Sequence, residues 1–322
     1  MSKVTKFVLE RSRSLNGWVA VLFAVWIIGQ IFRDLCWLTG LAFYFPSPLM
    51  FLTLMGVMLY LGWRKRPYRH WAVAALLPLL VVGCVENHWT TPPAQAHSGT
   101  PLKLIHWNVM GTRVRWDRLM EEFLPLQPDL VVLSEVHPRT KASGVIRKLG
   151  VEYTSLRISN MIVLARGRLF RVEPLTISQG IAHLVRWEFA GREWKVLAAD
   201  MPSDIRIPRD GVLKELVELV RVNQPDFVVG DLNAPRLSRQ LCRLPTGYRH
   251  AYDEAGSGWS YTWPVCWPGA GKTFPPLEWI YFIPMWGIDQ CILGPRVVAL
   301  EYRLISTHVS DHRMQVLETA AR

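Results

Sequence analysis

The sequence has few cysteines, and none of them stands in a metal-binding arrangement. The 322 residues include five cysteines, and no two have the CxxC spacing. This excludes a zinc ribbon, a thioredoxin-like redox centre and a disulfide-dense secreted scaffold. If the C-terminal part lies outside the cytoplasm, one disulfide could form among Cys242, Cys266 and Cys291; three buried thiols are the alternative.

Most of the chain also lacks the strong positive charge of a nucleic-acid-binding domain. The formal net charge is +11, but residues 1–70 contain nine Lys and Arg against two acidic residues. The remaining residues are close to balanced, with 28 basic and 24 acidic side chains. This balance does not favour DNA binding. Because half of the residues are hydrophobic and 20% are charged, intrinsic disorder is excluded as well.

The N-terminal quarter lacks charged residues over three long stretches, residues 14–32, 35–63 and 71–85. About 20 apolar residues are needed to cross a bilayer as a helix. Since Pro46 and Pro48 make the first third of the second stretch a poor helix, we predict membrane spans at about 15–32, 48–63 and 70–86. A cleavable signal peptide is disfavoured because further apolar segments follow at once and no small-residue cleavage site is present.

The basic residues in this region predict its orientation. Four of them precede the first span and four lie between the second and third: Lys3, Lys6, Arg11, Arg13, Arg64, Lys65, Arg66 and Arg69. Basic loops stay on the cytoplasmic side. Three spans therefore predict an integral protein of the inner or plasma membrane, with the lipid bilayer as partner and the C-terminal domain outside. If the short third stretch does not cross, that domain is cytoplasmic.

Residues 87–101 have linker composition, and residues 102–322 are long enough for one substantial core. Strands are predicted at 102–109, 129–135, 160–166, 181–189, 194–199, 226–231, 278–283 and 297–305, and helices at 116–124 and 212–222. The alternation predicts an α/β domain.

One short pattern occurs twice. Gln-Pro-Asp-Leu-Val-Val at residues 127–132 returns as Gln-Pro-Asp-Phe-Val-Val at 224–229. Each copy follows an amphipathic helix and leads into an acid, Glu135 or Asp231. Proline ends the helix, so each copy predicts a turn and then a buried strand. Two such units suggest one shared site at the carboxyl ends of the strands, although Pro-Asp before a strand is also a common turn.

Polar clusters at the ends of the predicted strands form a recognisable series: Trp107-Asn108, Ser134-Glu135, Gly230-Asp231-Leu232-Asn233, Glu278 and Ser310-Asp311-His312. Together, in this order, they resemble the endonuclease/exonuclease/phosphatase superfamily, over about residues 102–320. The resemblance implies a four-layer α/β sandwich, with two packed mixed sheets flanked by helices. It also implies a metal-dependent hydrolase of phosphate esters, with phosphodiesters as the expected substrates.

By this resemblance, Glu135 is the principal ligand of Mg²⁺ or Mn²⁺, with Asn108 and Asp311 nearby. Oxygen donors suit these hard cations, which neutralise an anionic phosphodiester. Asp231 would orient and deprotonate the attacking water, and Asn233 would hold the water and a phosphate oxygen. His312 would stabilise charge that develops on phosphorus.

Two positions depart from the family pattern. The family supplies the acid behind the terminal His from an Ile-Asp-Tyr/His-Ile strand, and Glu278 is the predicted substitute. The family also has a His where this chain has Asp200, which could be a protonated acid, a second metal ligand or a plain strand end. These departures leave a catalytically silent membrane scaffold as the alternative function.

Two further features concern the surroundings of this site. His106 is predicted to be a packed core histidine. The aromatic loop with Trp259, Tyr261, Trp263 and Trp267 could stack on bases, enter a lipid interface or simply pack as a loop. The substrate stays open between nucleic acid and a phospholipid headgroup, because the fold hosts both activities. Tethering to a membrane favours the lipid.

Overall fold

The structure is a computed structural model, which describes residues 3–62, 69–90, 97–112, 116–137, 153–265 and 285–322. Cys266, Trp267, Glu278 and the strand predicted at 278–283 lie outside the described residues.

The C-terminal domain alternates strands and helices, as predicted. Its elements are β1 Ser98–Asn108, α6 Trp116–Phe123, β2 Leu130–Ser134, β3 Tyr153–Ile158, β4 Met161–Arg166, β5 Arg168–Pro174, β6 Ile181–Phe189, β7 Arg192–Asp200, α7 Arg209–Asn223, β8 Phe227–Asp231, β9 Arg249–His250, α8 Ala251–Ala255, β10 Asp289–Leu293, β11 Val297–Ile305 and β12 Met314–Ala321. The first strand begins at Ser98, inside the predicted linker.

Two mixed six-stranded sheets form the centre of the domain, in the orders β11-β12-β1-β2-β4-β3 and β5-β6-β7-β8-β10-β9. One hydrophobic core lies between the sheets and combines residues such as Val132 and Val163 of the first with Val196 and Val229 of the second. Separate cores lie under α6 and under α7 on the outer faces. The predicted four-layer sandwich is therefore confirmed.

The repeated Gln-Pro-Asp pattern marks two equivalent units, one in each sheet. Gln127 and Gln224 both adopt left-handed backbone conformations, at φ 50° and 48°, where the preceding helical turn ends. Asp129 and Asp226 each accept a hydrogen bond from a backbone amide of the neighbouring strand, at 2.8 and 2.9 Å. The strands that follow are β2 and β8, each paired in parallel with its neighbour, β1 or β7.

The N-terminal region is helical, with α1 Lys3–Phe32, α2 Trp37–Tyr44, α3 Pro48–Gly62, α4 Arg69–Ala74 and α5 Leu76–Leu80, which continues as a π-helix at Val81–Glu86. Among the described residues, no single helix is long and apolar enough to cross a membrane. One bent pair, Gly17–Phe32 with Trp37–Tyr44, meets that criterion jointly, across a bend of 111°.

One expectation for this region needs correction. Residues 37–44 form a helix although prolines follow, because Pro46 and Pro48 lie beyond its end and do not interrupt its hydrogen bonds. The third predicted span, 70–86, is helical but divided into α4, α5 and the π-helical turn, and that it crosses the membrane stays a prediction.

The N-terminal helices are fixed to the C-terminal domain by specific hydrogen bonds. The buried Asp34 accepts from the backbone amide of Arg239 at 2.7 Å, and Trp286 donates its indole N–H to the carbonyl of Tyr44 at 2.7 Å. Residues at the start of the predicted linker are bound as well. Asn87 accepts from the amide of Ser260 at 2.7 Å, and the amide of His88 donates to the Tyr252 hydroxyl at 2.8 Å.

The described cysteines carry no disulfide. Cys36, Cys84 and Cys242 are exposed and Cys291 is buried, all as free thiols. A Cys242–Cys291 disulfide is therefore absent, and the expectation of a buried thiol at Cys242 is wrong, because the turn that contains it lies at the surface.

Candidate active site

The carboxyl ends of the central strands bring the predicted polar residues together. In the second sheet, Asp200 is paired with Asp231 across β7 and β8, and Asp231 with Asp289 across β8 and β10. In the first sheet, Asn108 lies opposite Ser134, directly before Glu135. The acidic residues at these strand ends, from both sheets, therefore lie close together.

Backbone geometry explains several residue types in these motifs. Gly230 lies so close to β7 that a Cβ would stand 1.7 Å from the carbonyl oxygen of Ala199. Only glycine therefore permits the pairing that aligns Asp231 with Asp200. Glu135 and Asn233 adopt left-handed conformations, at φ 52° and 47°, as their strands end. Asn is tolerated there better than most residues, whereas Glu at such a φ indicates a backbone held by its surroundings.

Asp289 is the carboxylate that holds His312, and the sequence analysis missed it. The Nδ1 atom of His312 donates to Asp289 Oδ2 at 2.8 Å, and both side chains are buried. The role predicted for Glu278 is therefore filled by Asp289, which begins β10. The signal was present in Ile288-Asp289-Gln-Cys-Ile292, close to the family's Ile-Asp pattern. It was overlooked because Glu278, in Leu-Glu-Trp-Ile, imitates the same pattern earlier in the chain.

This pair sets the charges at the centre of the site. Burial alone would lower the pKa of His312, but the negative charge of Asp289 and the hydrogen bond between the two side chains raise it to about 10. Burial alone would raise the pKa of Asp289, but the positive charge of His312 and the hydrogen bond to it, together with His106 and Thr262, lower it. Burial, followed by the nearby charge of Asp289, raises the pKa of Asp231 well above its ordinary value.

Asn108 links the two halves of the site. Its side-chain amide donates to Glu135 Oε1 at 3.0 Å and to Asp231 Oδ2 at 2.8 Å. Asn233 is held in turn, since its backbone amide donates to Asp231 Oδ1 at 2.8 Å and its side chain to the carbonyl of Met201 at 2.9 Å. The structure therefore brings Asn108, Glu135, Asp231 and Asn233 together as one hydrogen-bonded group.

Asp311 belongs to the same cleft and is oriented by the aromatic loop. The indole N–H of Trp263 donates to Asp311 Oδ2 at 3.0 Å, and the Trp263 ring lies 6.3 Å from that of His312. Of the three loop aromatics that the structure describes, Trp263 is the one at the site; Tyr261 instead bonds Glu86, and Trp259 packs near Trp89.

The donor set fits a hard divalent cation. Asp311 and Glu135 both line the cleft, and Asp311 Oδ1, which lies 4.0 Å from His312 Nε2, has no hydrogen-bond partner among the described residues. One ligand atom each from Asp231, Asp289 and His312 also lie within 4.8 Å of one another. Because Asp289 and His312 are hydrogen-bonded to each other, the oxygens of Glu135, Asn108 and Asp311 remain the predicted ligands for Mg²⁺ or Mn²⁺.

Asp200, which replaces the family's His, is buried and hydrogen-bonded. Its Oδ2 accepts from the side-chain amide of Asn160. Burial raises the pKa of Asp200 to about 6, and the charges of Glu135 and Asp289 act in the same direction. It is therefore a carboxyl group that can hold a proton near neutral pH, one of the roles expected for it.

His106 is buried as predicted, and it also contacts residues that support the site. It lies 3.0 Å from Ser134 Oγ and 2.9 Å from Gln315 Oε1, and its Nδ1 atom is 3.9 Å from Asp289 Oδ1. Gln315 also donates to the carbonyl of Asp289 at 3.0 Å. This network positions the Asp289–His312 pair from behind.

Several of the candidate active-site residues line a cleft of about 740 Å³. Glu135, Asp231, Asn233, Asp311 and His312 lie at one end of it, and side chains of α1 and α2 contribute to its wall. The N-terminal helices thus take part in shaping the site.

Comparison with known proteins agrees with this geometry. The model of the endonuclease/exonuclease/phosphatase family matches residues 105–312, and the chain belongs to this family. No curated protein matches it in sequence. Members of the family are generally metal-dependent hydrolases of phosphodiester bonds.

Solved structures share the fold at low sequence identity. TDP2 from D. rerio, in complex with a single-strand DNA product, is 18% identical with a TM-score of 0.55, over 69% of this chain and 99% of that one. Truncated TDP2 from Caenorhabditis elegans is 19% identical with a TM-score of 0.54, over 70% and 100%. A family member from Bacteroides vulgatus is 13% identical with a TM-score of 0.52, over 70% and 100%.

Proposed function

We propose that this protein is a membrane-anchored, metal-dependent hydrolase of phosphodiester bonds. The observation that supports the proposal best is the buried His312–Asp289 pair beside Asp231, at the junction of both sheets. Buried charges are costly unless they are paired. Three buried ionisable side chains, Asp231, Asp289 and His312, have ligand atoms within 4.8 Å of one another. Such a cluster indicates a site built for chemistry rather than for stability.

The chain's own residues divide the work as follows. Asp231, held by Asn108 and Asn233, orients the attacking water and accepts its proton, for which its raised pKa is suited. His312, kept protonated by Asp289, donates to a phosphate oxygen as negative charge builds up. Glu135, Asn108 and Asp311 would hold the cation, which when bound neutralises the phosphate and the leaving oxygen. Asp200 would supply or hold a proton near the leaving group.

Membrane anchoring is the second part of the proposal. It is supported by the apolar helix pair α1–α2 and by the exposed apolar side chains of α1, among them Ile31 at 67% and Trp18 at 67% exposure. Large apolar patches on a surface mark contacts with lipid or with other proteins. The lipid bilayer is the proposed partner, and a phosphate ester, of a phospholipid or a nucleic acid, is the proposed substrate.

The test is hydrolysis of bis(4-nitrophenyl) phosphate by the full chain, with Mg²⁺ or Mn²⁺ and with EDTA. We expect metal-dependent turnover, which Asp231→Ala lowers by about 10²–10⁴-fold. Asp253→Ala is the matched control, because Asp253 is an aspartate outside the cleft. A folded wild-type protein that binds the metal but hydrolyses no diester would contradict the proposal and favour the silent scaffold.

A further inference from the structure

The cleft above the catalytic residues has one polar end and one apolar side. The apolar side is formed by α2 and by the loop that follows β7, with Trp37, Leu38, Leu41, Phe45, Ile205 and Ile207 lining it. Several of these side chains are largely exposed to solvent, including Leu38 at 69% and Ile205 at 70%. Such exposure is unfavourable unless an apolar group covers it.

Hydrogen bonds at both ends of α2 fix the apolar side of the cleft to the C-terminal domain. The Trp37 indole donates to the carbonyl of Ile205 at 3.1 Å, which joins α2 to the opposite loop. At the other end of α2, the Tyr44 hydroxyl donates to Asp34 Oδ2 at 3.2 Å and lies 3.3 Å from Ser238 Oγ. These hydrogen bonds hold both ends of α2 against the C-terminal domain, as expected of a pre-formed small-molecule site.

Arg209 adds a second anion-binding group to the same cleft. It is buried at the start of α7, lines the cleft, and its Nη1 atom has no hydrogen-bond partner among the described residues. A buried guanidinium nitrogen without a partner is costly, unless a ligand supplies the acceptor. Phosphate oxygens are strong hydrogen-bond acceptors for a guanidinium group. No other Lys or Arg in the described part of the chain lines the cleft, whereas Asp34, Glu135, Asp231 and Asp311 do.

The cleft also continues onto the apolar surface of α1. Val25 of α1 lines it, and the neighbouring Leu22, Ile28 and Phe32 are exposed beside Val25. A polyanion that ran through the cleft would contact several carboxylates and apolar side chains. In the described part of the chain, Arg209 is the single arginine of the cleft that could balance its charge. A ligand with one phosphate and one hydrocarbon chain would instead find a matching partner at each end.

We infer that the substrate of this site is an amphiphile, a phosphate ester whose hydrocarbon chain lies between α2 and the loop at Ile205 while Arg209 and His312 contact its phosphate. This inference rests on the proposed function and names its substrate class. The substrate is a phosphodiester: hydrolysis adds water across one of its P–O ester bonds and releases an alcohol and a phosphate monoester, and no oxidant or other co-reactant is required.

The experiment compares alkyl 4-nitrophenyl phosphodiesters that differ only in the alkyl group, methyl or octyl, with the full chain held in a phosphate-free amphipathic polymer. Each buried methylene strengthens binding by about fourfold, so we expect kcat/KM to rise at least about 100-fold from methyl to octyl. Leu38→Ser with Ile205→Ser should remove most of that gain, so that the octyl and methyl esters are hydrolysed with similar kcat/KM. Val222→Ser is the control, because Val222 is 70% exposed but lies outside the cleft.

The outcomes separate the two proposals. Hydrolysis of both esters with no dependence on chain length, or faster cleavage of a single-stranded oligonucleotide than of the octyl ester, would overturn the inference and leave the hydrolase intact. If neither ester is hydrolysed, calorimetry of octylphosphonate and methylphosphonate binding still tests the amphiphile site. Tighter binding of the octyl compound that depends on Leu38 would then support the amphiphile site while the proposed reaction fails. Equal binding without turnover would overturn both.

Arg209→Gln provides an independent readout. It should raise KM for the methyl and octyl esters by the same factor, because Arg209 is expected to contact the phosphate that both share. An unchanged KM would exclude Arg209 from the phosphate site.

Discussion

At the residue scale, Asp289 and Glu278 are alternative candidates for one role, the support of His312. The structure gives this role to Asp289, at 2.8 Å from Nδ1. We expect Asp289→Asn to lower kcat by about 10²–10⁴-fold, because His312 loses the charge that keeps it protonated. Glu278→Gln is the matched control and should stay close to wild type. The measurement is diester turnover together with the NMR titration of His312, whose pKa should fall in Asp289→Asn; equal loss in both variants would be inconsistent with this assignment.

The raised pKa of Asp200 predicts that the stability of the fold depends on pH. Its folded-state pKa of about 6 lies above the ordinary value of 3.8, because burial disfavours the charged form. The folded state therefore binds the proton more tightly, and this carboxyl group destabilises the fold as pH rises from about 4 to 6 and above. A shift of this size corresponds to about 3 kcal/mol.

Asp200→Asn should remove this penalty. The variant should be more stable than wild type at pH 8, by up to about 3 kcal/mol, with the gain shrinking towards pH 4. Its new amide could also donate to the unpartnered Oδ1 of Asn160. Chemical unfolding in EDTA at several pH values measures the difference. A gain that is constant with pH would show that ionisation of Asp200 does not cause it.

At the element scale, the contact between α1 and α2 depends on one glycine. A Cβ on Gly29 would lie 2.4 Å from the backbone of Ala42, so any side chain forces the helices apart. We expect Gly29→Ala to destabilise the full chain by about 1–3 kcal/mol, as overpacking does. Gly56→Ala in α3 meets open space and should be neutral or stabilising by about 0.5–1 kcal/mol. The unfolding temperatures of both variants measure the difference. A Gly29→Ala protein as stable as Gly56→Ala would show that α2 does not pack against α1 as described.

Element by element, the sequence was most informative where periodicity was strong. The face of α7 with Val212, Leu213, Leu216, Val217 and Val220 is buried as expected, and β6 and β11 have the predicted bounds. β10 was missed because it begins with Asp289 and Gln290, whose polarity conceals a strand with all five residues buried. β3 and β12 were missed too: β3 is mostly half-buried, and β12, although mostly buried, mixes Gln315, Glu318 and Thr319 with apolar residues. β5 was also missed, because Arg168, Arg171 and Glu173 interrupt its apolar residues.

At the scale of the whole molecule, the direction in which the C-terminal domain faces follows from the number of crossings. With the basic N-terminus inside and three crossings, Arg322 is expected outside the cytoplasm. We expect alkaline phosphatase fused after Arg322 to be active and a green fluorescent protein fused there to be dark in cells. A fluorescent fusion would reverse the orientation and show that the residues from Arg69 to Glu86, which are divided among short helices, do not cross.

The family and the four-layer sandwich could be predicted from the sequence, and so could most of the residues that meet in the cleft. Motifs at strand ends, such as Gly230-Asp231-Leu232-Asn233, are recognisable because local backbone geometry restricts which residue types can occupy them. The tertiary structure alone decided what depends on distant contacts: that Asp289 supports His312, that Trp263 orients Asp311, and that α2 forms one side of the cleft. These pairings join residues far apart in the chain, and only the packing of the sheets and helices brings them within contact distance.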